Sequence, residues 1–188
     1  MYYRSRNIQL SRFSTILGII FTAVLGTLLH FLFKWSMGHP AVALFATVNE
    51  STWEHLKLLF FPVVLYTIFE YAAQGRYLPG YLYARCLALC AGLAFIITAF
   101  YTYSGILGDN YFLMDIGIFL AAIFLTFILT TLIQKWRRAL PTHTWVALLV
   151  FLVLAAAFFT FTFYPPHIGL FRDPQADDYG ILAVFKYL

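Results

Sequence analysis

The feature that most constrains this chain is a series of long apolar runs that contain almost no charge. The first run lies between Arg12 and Lys34, where no Asp, Glu, Lys or Arg occurs. The hydrocarbon core of a bilayer requires about 20 consecutive, mostly apolar helical residues. A soluble domain needs more polar surface than a sequence that is 62% hydrophobic and 11% charged can supply. The sequence therefore predicts an all-α, polytopic membrane helix bundle.

The gaps between charged residues predict five transmembrane helices within a single integral membrane domain, residues 1–188. Pro62 falls inside the second helix, where it removes the helical hydrogen bond to the carbonyl of Leu58 and is expected to kink the helix. Pro165 and Pro166 end the fifth helix, because proline cannot continue the hydrogen-bond ladder. The predicted spans are residues 13–34, 51–73, 83–104, 115–135 and 144–164.

Two segments between and after the spans are too short to cross a bilayer. Residues 35–50 join the first two spans and contain an apolar stretch, residues 40–48. We expect this stretch to form a short re-entrant or interfacial segment with Pro40 in its first turn. Residues 167–188 form a tail outside the bilayer, in which LFRDPQADDYG has the composition of polar turns. The last nine residues are apolar, and we expect them to lie against the bundle or in the interface.

Basic residues divide unequally between the two ends of the predicted helices. One end carries eight basic residues and one acidic residue, net +7, whereas the other carries four basic and seven acidic residues, net −3. Lys and Arg are enriched on the cytoplasmic side of membrane proteins. The N-terminus is therefore predicted inside and the C-terminus outside. Topology accounts for the overall charge of +4, so the predicted partners are membrane lipids and not nucleic acid; no protein partner is indicated.

The densest group of polar side chains lies at the start of the second span, in residues 49–57. Ser51 and Glu54 have the spacing of a capping box. In that motif the Ser51 hydroxyl accepts from the Glu54 amide, and the Glu54 side chain accepts from the Ser51 amide. Helix capping leaves Asn49, Glu50 and His55 unexplained.

Counting along the alternating helices places several ionisable side chains near the outer face. His30 lies about one turn before the end of the first span, and His55 lies one turn after the start of the second. Asp115 begins the fourth span, and His167 follows the fifth. Ionisable groups near lipid are costly and indicate a functional site. The alternative is a set of interfacial side chains that extend toward water.

Three histidines and a carboxylate form a ligand set suited to zinc, with one position open to water or substrate. The predicted ligands are His30, His55, Asp115 and His167. The chain contains neither an HExxH nor an HxxxH motif. The ligands of such a site would therefore come from separate elements.

Acidic and polar neighbours supply the remaining predicted site residues. Glu50 and Glu54 are candidate acid–base catalysts beside a metal ion. Asn49 and Arg172 are candidate ligand-binding residues, because an arginine can bind an anionic group through two hydrogen bonds. For Arg172 the alternative is a local salt bridge with the adjacent Asp173.

Three blocks carry a resemblance that covers nearly the whole chain. They are HPAVALFATVNESTWEHLKLLFFP, FYTYSGILGDNYFLMDI and FYPPHIGLFRDP. Together they resemble a family of small bacterial membrane proteins of unknown function, found mainly among Clostridia-like Firmicutes. The resemblance implies a location in the bacterial cytoplasmic membrane, and it implies no particular activity.

A shorter block has a second resemblance. Asn49-Glu50, followed by Trp53-Glu54-His55, is similar to a Glu…Asn…Trp-Thr-His block of the progestin/adiponectin-receptor and hemolysin-III family. That superfamily of intramembrane metal-dependent hydrolases includes the alkaline ceramidases. This chain departs from it in having five predicted spans instead of seven and in lacking a late HxxxH pair, so no ligand is assigned from this resemblance.

These features favour an outward-facing polar site between helices, and the leading hypothesis is a metal-dependent hydrolase that acts on a lipid-like substrate. One alternative is a small-molecule-binding transport component, similar to the small membrane subunits of vitamin uptake systems, which usually have six spans. The other is an accessory membrane protein without catalytic activity.

Overall fold

The computed structural model describes residues 10–135 and 144–181. These ranges contain six α-helices: α1 (Arg12–Trp35), α2 (Pro40–Ala43), α3 (Thr52–Ala73), α4 (Tyr81–Leu107), α5 (Phe112–Lys135) and α6 (Thr144–Phe163). All except the four-residue α2 are long and apolar enough to cross a membrane. The described residues contain almost no strand, so the predicted all-α polytopic membrane bundle is confirmed.

The helix ends agree closely with the predicted spans, and α4 shows the clearest difference. It extends beyond its predicted span at both ends, from Tyr81 to Leu107. Gly80 precedes it with φ 69°, and Gly108 follows it with φ 76°. Residues with a Cβ atom rarely adopt this left-handed conformation, so the two glycines set the boundaries of the helix.

The helix α3 is the centre of the bundle and packs against α1, α4, α5 and α6. Its buried side chains Leu59, Phe60 and Val63 form a core with Phe127 of α5 and Phe158 of α6. Side chains on the outer faces of α1, α5 and α6 are largely exposed and apolar, as lipid-facing surfaces require. The position of α3 explains why most of the polar contacts described below involve it.

The packing of α1 against its neighbours depends on small residues spaced four apart. Gly18, Thr22 and Gly26 are buried, and a methyl group on Gly26 would lie 2.6 Å from the carbonyl oxygen of Leu58. Small residues allow such close approach of helices in lipid. Pro62 lies within α3 and removes the helical donor to this same carbonyl, as predicted. The backbone of α1 therefore covers a carbonyl group that would otherwise face the bilayer without a donor.

The segment between α1 and α3 is buried by protein in its second half, residues 46–49, whereas much of its first half is exposed. His39 caps α2, because its Nδ1 atom accepts a hydrogen bond from the amide of Ala41 at 3.3 Å, and Pro40 occupies the first turn. Ala43 and Ala46 are fully buried. Irregular backbone at membrane depth is tolerated where protein covers it, and the prediction of a short, non-spanning segment is consistent with this arrangement.

The tail packs over that segment. After a short 3₁₀ turn, Gly169–Phe171, the strands β1 (Arg172–Asp173) and β2 (Asp178–Tyr179) pair in antiparallel fashion. Ile181 is buried in a cluster with apolar residues of α1 and of the segment before α3. The last residues of the predicted tail, 182–188, lie outside the described residues.

Candidate functional site

The turn that starts α3 positions the candidate site residues. The Ser51 hydroxyl accepts a hydrogen bond from the Glu54 amide at 3.4 Å, as a helix cap should. The second half of the predicted capping box is wrong. The Asn49 side chain accepts from the Ser51 amide at 3.0 Å, and Glu54 accepts instead from the Val48 amide at 3.0 Å. Because Asn49 already accepts from the Ser51 amide, the Glu54 carboxylate accepts from the amide of Val48, three residues before Ser51.

The same turn determines which nitrogen of His55 is available to a ligand. Its Nδ1 atom lies 2.9 Å from the carbonyl oxygen of Ser51. A carbonyl oxygen can only accept, so Nδ1 carries the proton and Nε2 bears the lone pair of the neutral ring. The Nε2 atom lies 3.4 Å from a carboxylate oxygen of Glu50. A hydrogen bond from one ring nitrogen to a backbone carbonyl is the usual support of a metal-binding histidine.

The helix α1 adds a second histidine to this pair. The rings of His30 and His55 are 5.3 Å apart between centroids. One possible ligand atom from each of His30, Glu50 and His55 lies within 4.8 Å of the others. The Nδ1 atom of His30 is buried and has no hydrogen-bond partner among the described residues. In residues 10–135 and 144–181, no other group of three potential metal ligands comes this close together.

The tail holds the loop that carries Glu50. Asp173 is buried, and one of its oxygens accepts a hydrogen bond from the backbone amide of Glu50 at 3.2 Å. Its other oxygen accepts from the amide of Gln175 at 2.7 Å, which closes the turn. Asn49 donates to the carbonyl of Gly180 at 3.4 Å. From the sequence, Asp173 was expected to have only a local role, because an Arg-Asp-Pro run in a polar tail predicts a turn with a salt bridge.

A buried ion pair lies beside the cluster, one turn further along α3. The side chains of Lys57 and Glu54 are 0% and 2% exposed, and their Nζ and Oε2 atoms are 2.7 Å apart. Lys57 also donates to the carbonyl of Ala43 at 3.0 Å, and Thr162 of α6 donates to the other oxygen of Glu54 at 3.1 Å. Both Glu54 oxygens therefore have donors from the fold. No described hydrogen bond or ion pair joins Glu54 to the histidine pair.

A second buried ion pair lies at the opposite end of α3. Glu70 and Arg85 pair with both side chains fully buried, and the hydroxyl groups of Ser14 and Tyr81 also donate to Glu70. The guanidinium carbon of Arg85 lies 4.4 Å from the ring centroid of Phe127. From the sequence, Glu70 and Arg85 were expected to be charges at helix ends, not a buried pair. The available signal was the position of Glu70 inside a predicted span, between aromatic residues.

Two predicted ligands lie outside the cluster of His30, Glu50 and His55. Asp115 accepts a hydrogen bond from the Tyr103 hydroxyl, which joins the end of α4 to the start of α5. The ring of His167 packs against Tyr179, with 4.6 Å between the ring centroids. Both side chains serve local contacts at the helix ends.

Arg172 also makes a local contact. It pairs with Asp177, with 2.5 Å between Nε and Oδ1, and both side chains are exposed. The adjacent Asp173 does not pair with Arg172, because successive residues of a strand point to opposite faces. Asp173 points inward to the Glu50 amide, whereas Arg172 points to solvent.

Comparison with known proteins identifies the family of this chain but indicates no activity. The model of a family of unknown function (DUF6512) matches residues 3–181. The chain therefore belongs to this family and is an integral membrane protein whose specific function is not established. Searches of curated proteins and of solved structures found no significant match. The predicted membership of a family of unknown function is confirmed.

Proposed function

We propose that this member of the DUF6512 family is a metal-dependent hydrolase that binds zinc through His30, Glu50 and His55 and acts on a lipid-like substrate. The observation that carries the proposal is the convergence of three potential ligand atoms within 4.8 Å, contributed by α1, the loop before α3, and α3 itself. Burying such groups near lipid is costly unless they are paired or bound to a cation. A shared metal ion supplies that compensation.

The donor set and its spacing fit zinc. Two imidazoles and one carboxylate form the protein ligand set of many hydrolytic zinc sites. With metal–ligand distances of about 2.0–2.1 Å, two ligands of one tetrahedral ion are about 3.3 Å apart. The separation of 3.4 Å between His55 and Glu50 matches that value. The ligand atom of His30 lies within 4.8 Å of those of His55 and Glu50.

The surrounding residues of this chain define separate roles. The carbonyl of Ser51 orients His55, and Asp173 holds the backbone of Glu50. The side chains of His55 and Glu50 are 34% and 26% exposed, which leaves access for a substrate. A bound zinc ion in such a site supplies a Lewis acid and an open position for water.

The two predicted catalytic acids take different positions in this proposal. Glu50 joins the ligand set instead of acting as the base. Glu54 stabilises the fold beside the site, because its two oxygens bind Lys57, the Val48 amide and Thr162. Asp115, His167 and Arg172 are not assigned a role in it.

Exposed aromatic residues next to the cluster support a substrate that arrives from the bilayer. Phe31 packs edge-on against His30 and stacks on Trp35, with 5.8 Å between the two centroids. Both aromatic side chains are exposed on α1. Tryptophan residues in such positions mark the membrane–water interface. The proposed site therefore lies close to the membrane–water interface, on its bilayer side, and we place it on the outer side of a bacterial cytoplasmic membrane.

Metal analysis of the full chain purified in detergent tests this proposal. We expect about one zinc ion per chain, lost in His30→Ala, His55→Ala and Glu50→Gln. The control is His167→Ala, which removes a histidine from the same end of the bundle and should leave the zinc content unchanged. A wild-type protein that binds no zinc, or a His55→Ala variant that retains it, would contradict the assignment.

A transport role is the alternative, and the two buried ion pairs of α3 favour it. Ionisable residues inside membrane proteins often mark ion or substrate pathways, and the pairs Lys57–Glu54 and Arg85–Glu70 lie at opposite ends of the central helix. A small molecule that co-purifies with a zinc-free protein would support transport. Purified protein with neither zinc nor a small molecule would support the accessory role.

A further inference from the structure

One exposed cation lies next to the proposed zinc site. Lys34 follows His30 by four residues in α1, so the two side chains share a face of the helix. With a rise of 1.5 Å per residue, His30 lies about 6 Å deeper along the helix axis than Lys34.

The charge of Lys34 has no acidic partner within the described ranges. The other basic residues that the structure describes at this end of the bundle are engaged: Lys57 binds Glu54, and Arg172 binds Asp177. Among residues 10–135 and 144–181, Lys34 has no carboxylate within ion-pair distance. Its ammonium group is therefore available to a ligand, beside a cluster that would itself carry positive charge with zinc bound.

The depth of Lys34 corresponds to that of a lipid headgroup. Its neighbour Trp35 is 62% exposed and stacks on Phe31, which places the last turn of α1 at the membrane–water interface. The cluster around His30 lies one turn deeper, where the acyl linkages of a lipid begin. The order along α1, from the interface toward the bilayer, is therefore the cation Lys34 followed by the proposed zinc ligand His30.

We propose that Lys34 binds the anionic headgroup of a lipid whose scissile ester or amide bond lies one turn deeper, at His30, Glu50 and His55. The substrate class is then an anionic acyl lipid. The inference rests on the proposed hydrolase function and adds its headgroup specificity. Hydrolysis of the acyl bond consumes only water, which gives its hydroxyl group to the acyl carbon and its proton to the leaving oxygen or nitrogen.

A purely structural role for Lys34 makes a different prediction. Lys34 lies in the last turn of α1, where a cation interacts favourably with the helix dipole. If this were its main role, its replacement would reduce stability and leave any preference among lipids unchanged. Lys135 provides a matched control, because it is an exposed lysine in the last turn of α5, at the opposite end of the bundle.

The test compares lipids that differ only in headgroup. Full-length protein in detergent, loaded with zinc, is titrated calorimetrically with short-chain phosphatidylglycerol and with phosphatidylcholine of the same acyl length. We expect wild type to bind phosphatidylglycerol about tenfold more tightly, as one charge-assisted hydrogen bond allows. Lys34→Gln should abolish this preference, whereas Lys34→Arg and Lys135→Gln should retain it.

Two further measurements distinguish a failure of the headgroup inference from a failure of the proposed hydrolase function. Inorganic phosphate at the same concentration should not displace phosphatidylglycerol, because the proposed ligand is the lipid and not its phosphate alone. Displacement by phosphate, absence of a preference in wild type, or a preference that survives Lys34→Gln would each overturn the inference. Zinc is measured in the same samples. A zinc-free protein that still shows a Lys34-dependent preference would overturn the proposed hydrolase and support headgroup recognition.

Discussion

Glu50 and Glu54 carry the same functional group, yet the fold gives them opposite environments. Glu54 is buried, and its oxygens bind an ammonium group, a hydroxyl group and a backbone amide. Glu50 is partly exposed, and its carboxylate faces the imidazole of His55. A carboxylate with every oxygen engaged stabilises a fold, whereas one with free lone pairs can bind a metal ion. The loop conformation set by Asn49 and Asp173 produces this difference.

The buried pair of Lys57 and Glu54 should be highly sensitive to the loss of one partner. Removing one member of such a pair leaves a buried charge and typically costs about 3–5 kcal/mol. We expect Lys57→Met and Glu54→Gln each to destabilise the protein strongly. The double variant should lose less than the sum of the two. Thermal or denaturant unfolding in detergent measures this, and a Lys57→Met variant as stable as Lys135→Met would contradict it.

Asp173 should control zinc affinity through the backbone of Glu50. Loss of a residue that supports a metal ligand typically lowers metal affinity by about 10–100-fold. We expect Asp173→Ala to weaken zinc binding to that extent in competition with a chelator of known affinity. Asp177→Ala is the control. It removes a carboxylate from the same hairpin, but this carboxylate contacts Arg172 and not Glu50. Equal losses in the two variants would show that only the stability of the hairpin matters.

At the scale of elements, the fit of α1 against α3 determines where His30 lies. A methyl group on Gly26 would approach the backbone oxygen of Leu58 to 2.6 Å, and backbone cannot rotate away as a side chain can. We expect Gly26→Ala to push α1 outward, to cost about 1–3 kcal/mol, and to weaken zinc binding. Gly117→Ala, which meets no atom within 4 Å, should be neutral or stabilising. Equal unfolding temperatures for the two variants would contradict this account of the packing.

The sequence predicted the helices more completely than the site, and the reason is geometric. The length of a charge-free run fixes the extent of a helix along the bilayer normal, so the ends of the spans could be read from single residues such as Arg12 and Lys135. The same counting placed His30, His55, Asp115 and His167 at one depth. Counting along the helices could not show which direction each side chain faces around the bundle axis. Only the first two converge, because α1 and α3 are packed neighbours.

The partner of a buried charge was also beyond the sequence pattern. Lys57 and Arg85 lie near helix ends, where long side chains usually reach water. Lys57 pairs with Glu54, three residues earlier in the same helix. Arg85, however, is buried against Glu70 of another helix. A single sequence contains no signal for that pairing. Asp173 was missed for the same reason, since its contact with Glu50 joins positions far apart in the chain.

For the whole molecule, the two buried pairs tie the central helix to its neighbours at both ends. Lys57 and Glu54 connect α3 to the preceding segment and to α6, whereas Glu70 connects α3 to α4 and, through Ser14, to α1. Each pair carries no net charge, so neither contributes to the difference in charge between the two ends of the bundle. The charges that decide orientation are the remaining ones.

Those remaining charges predict the orientation of the chain. Without Arg85 and Lys57, seven basic residues remain at the N-terminal end of α1 and three at the other end, so the asymmetry persists. Because Lys and Arg are enriched on the cytoplasmic side, these charges predict that the N-terminus is inside and the proposed site outside. We expect alkaline phosphatase to be active in bacteria when fused to the C-terminus and inactive when fused after Arg137. The opposite pattern would place the cluster of His30, Glu50 and His55 in the cytoplasm, and a lipid substrate would then come from the inner leaflet.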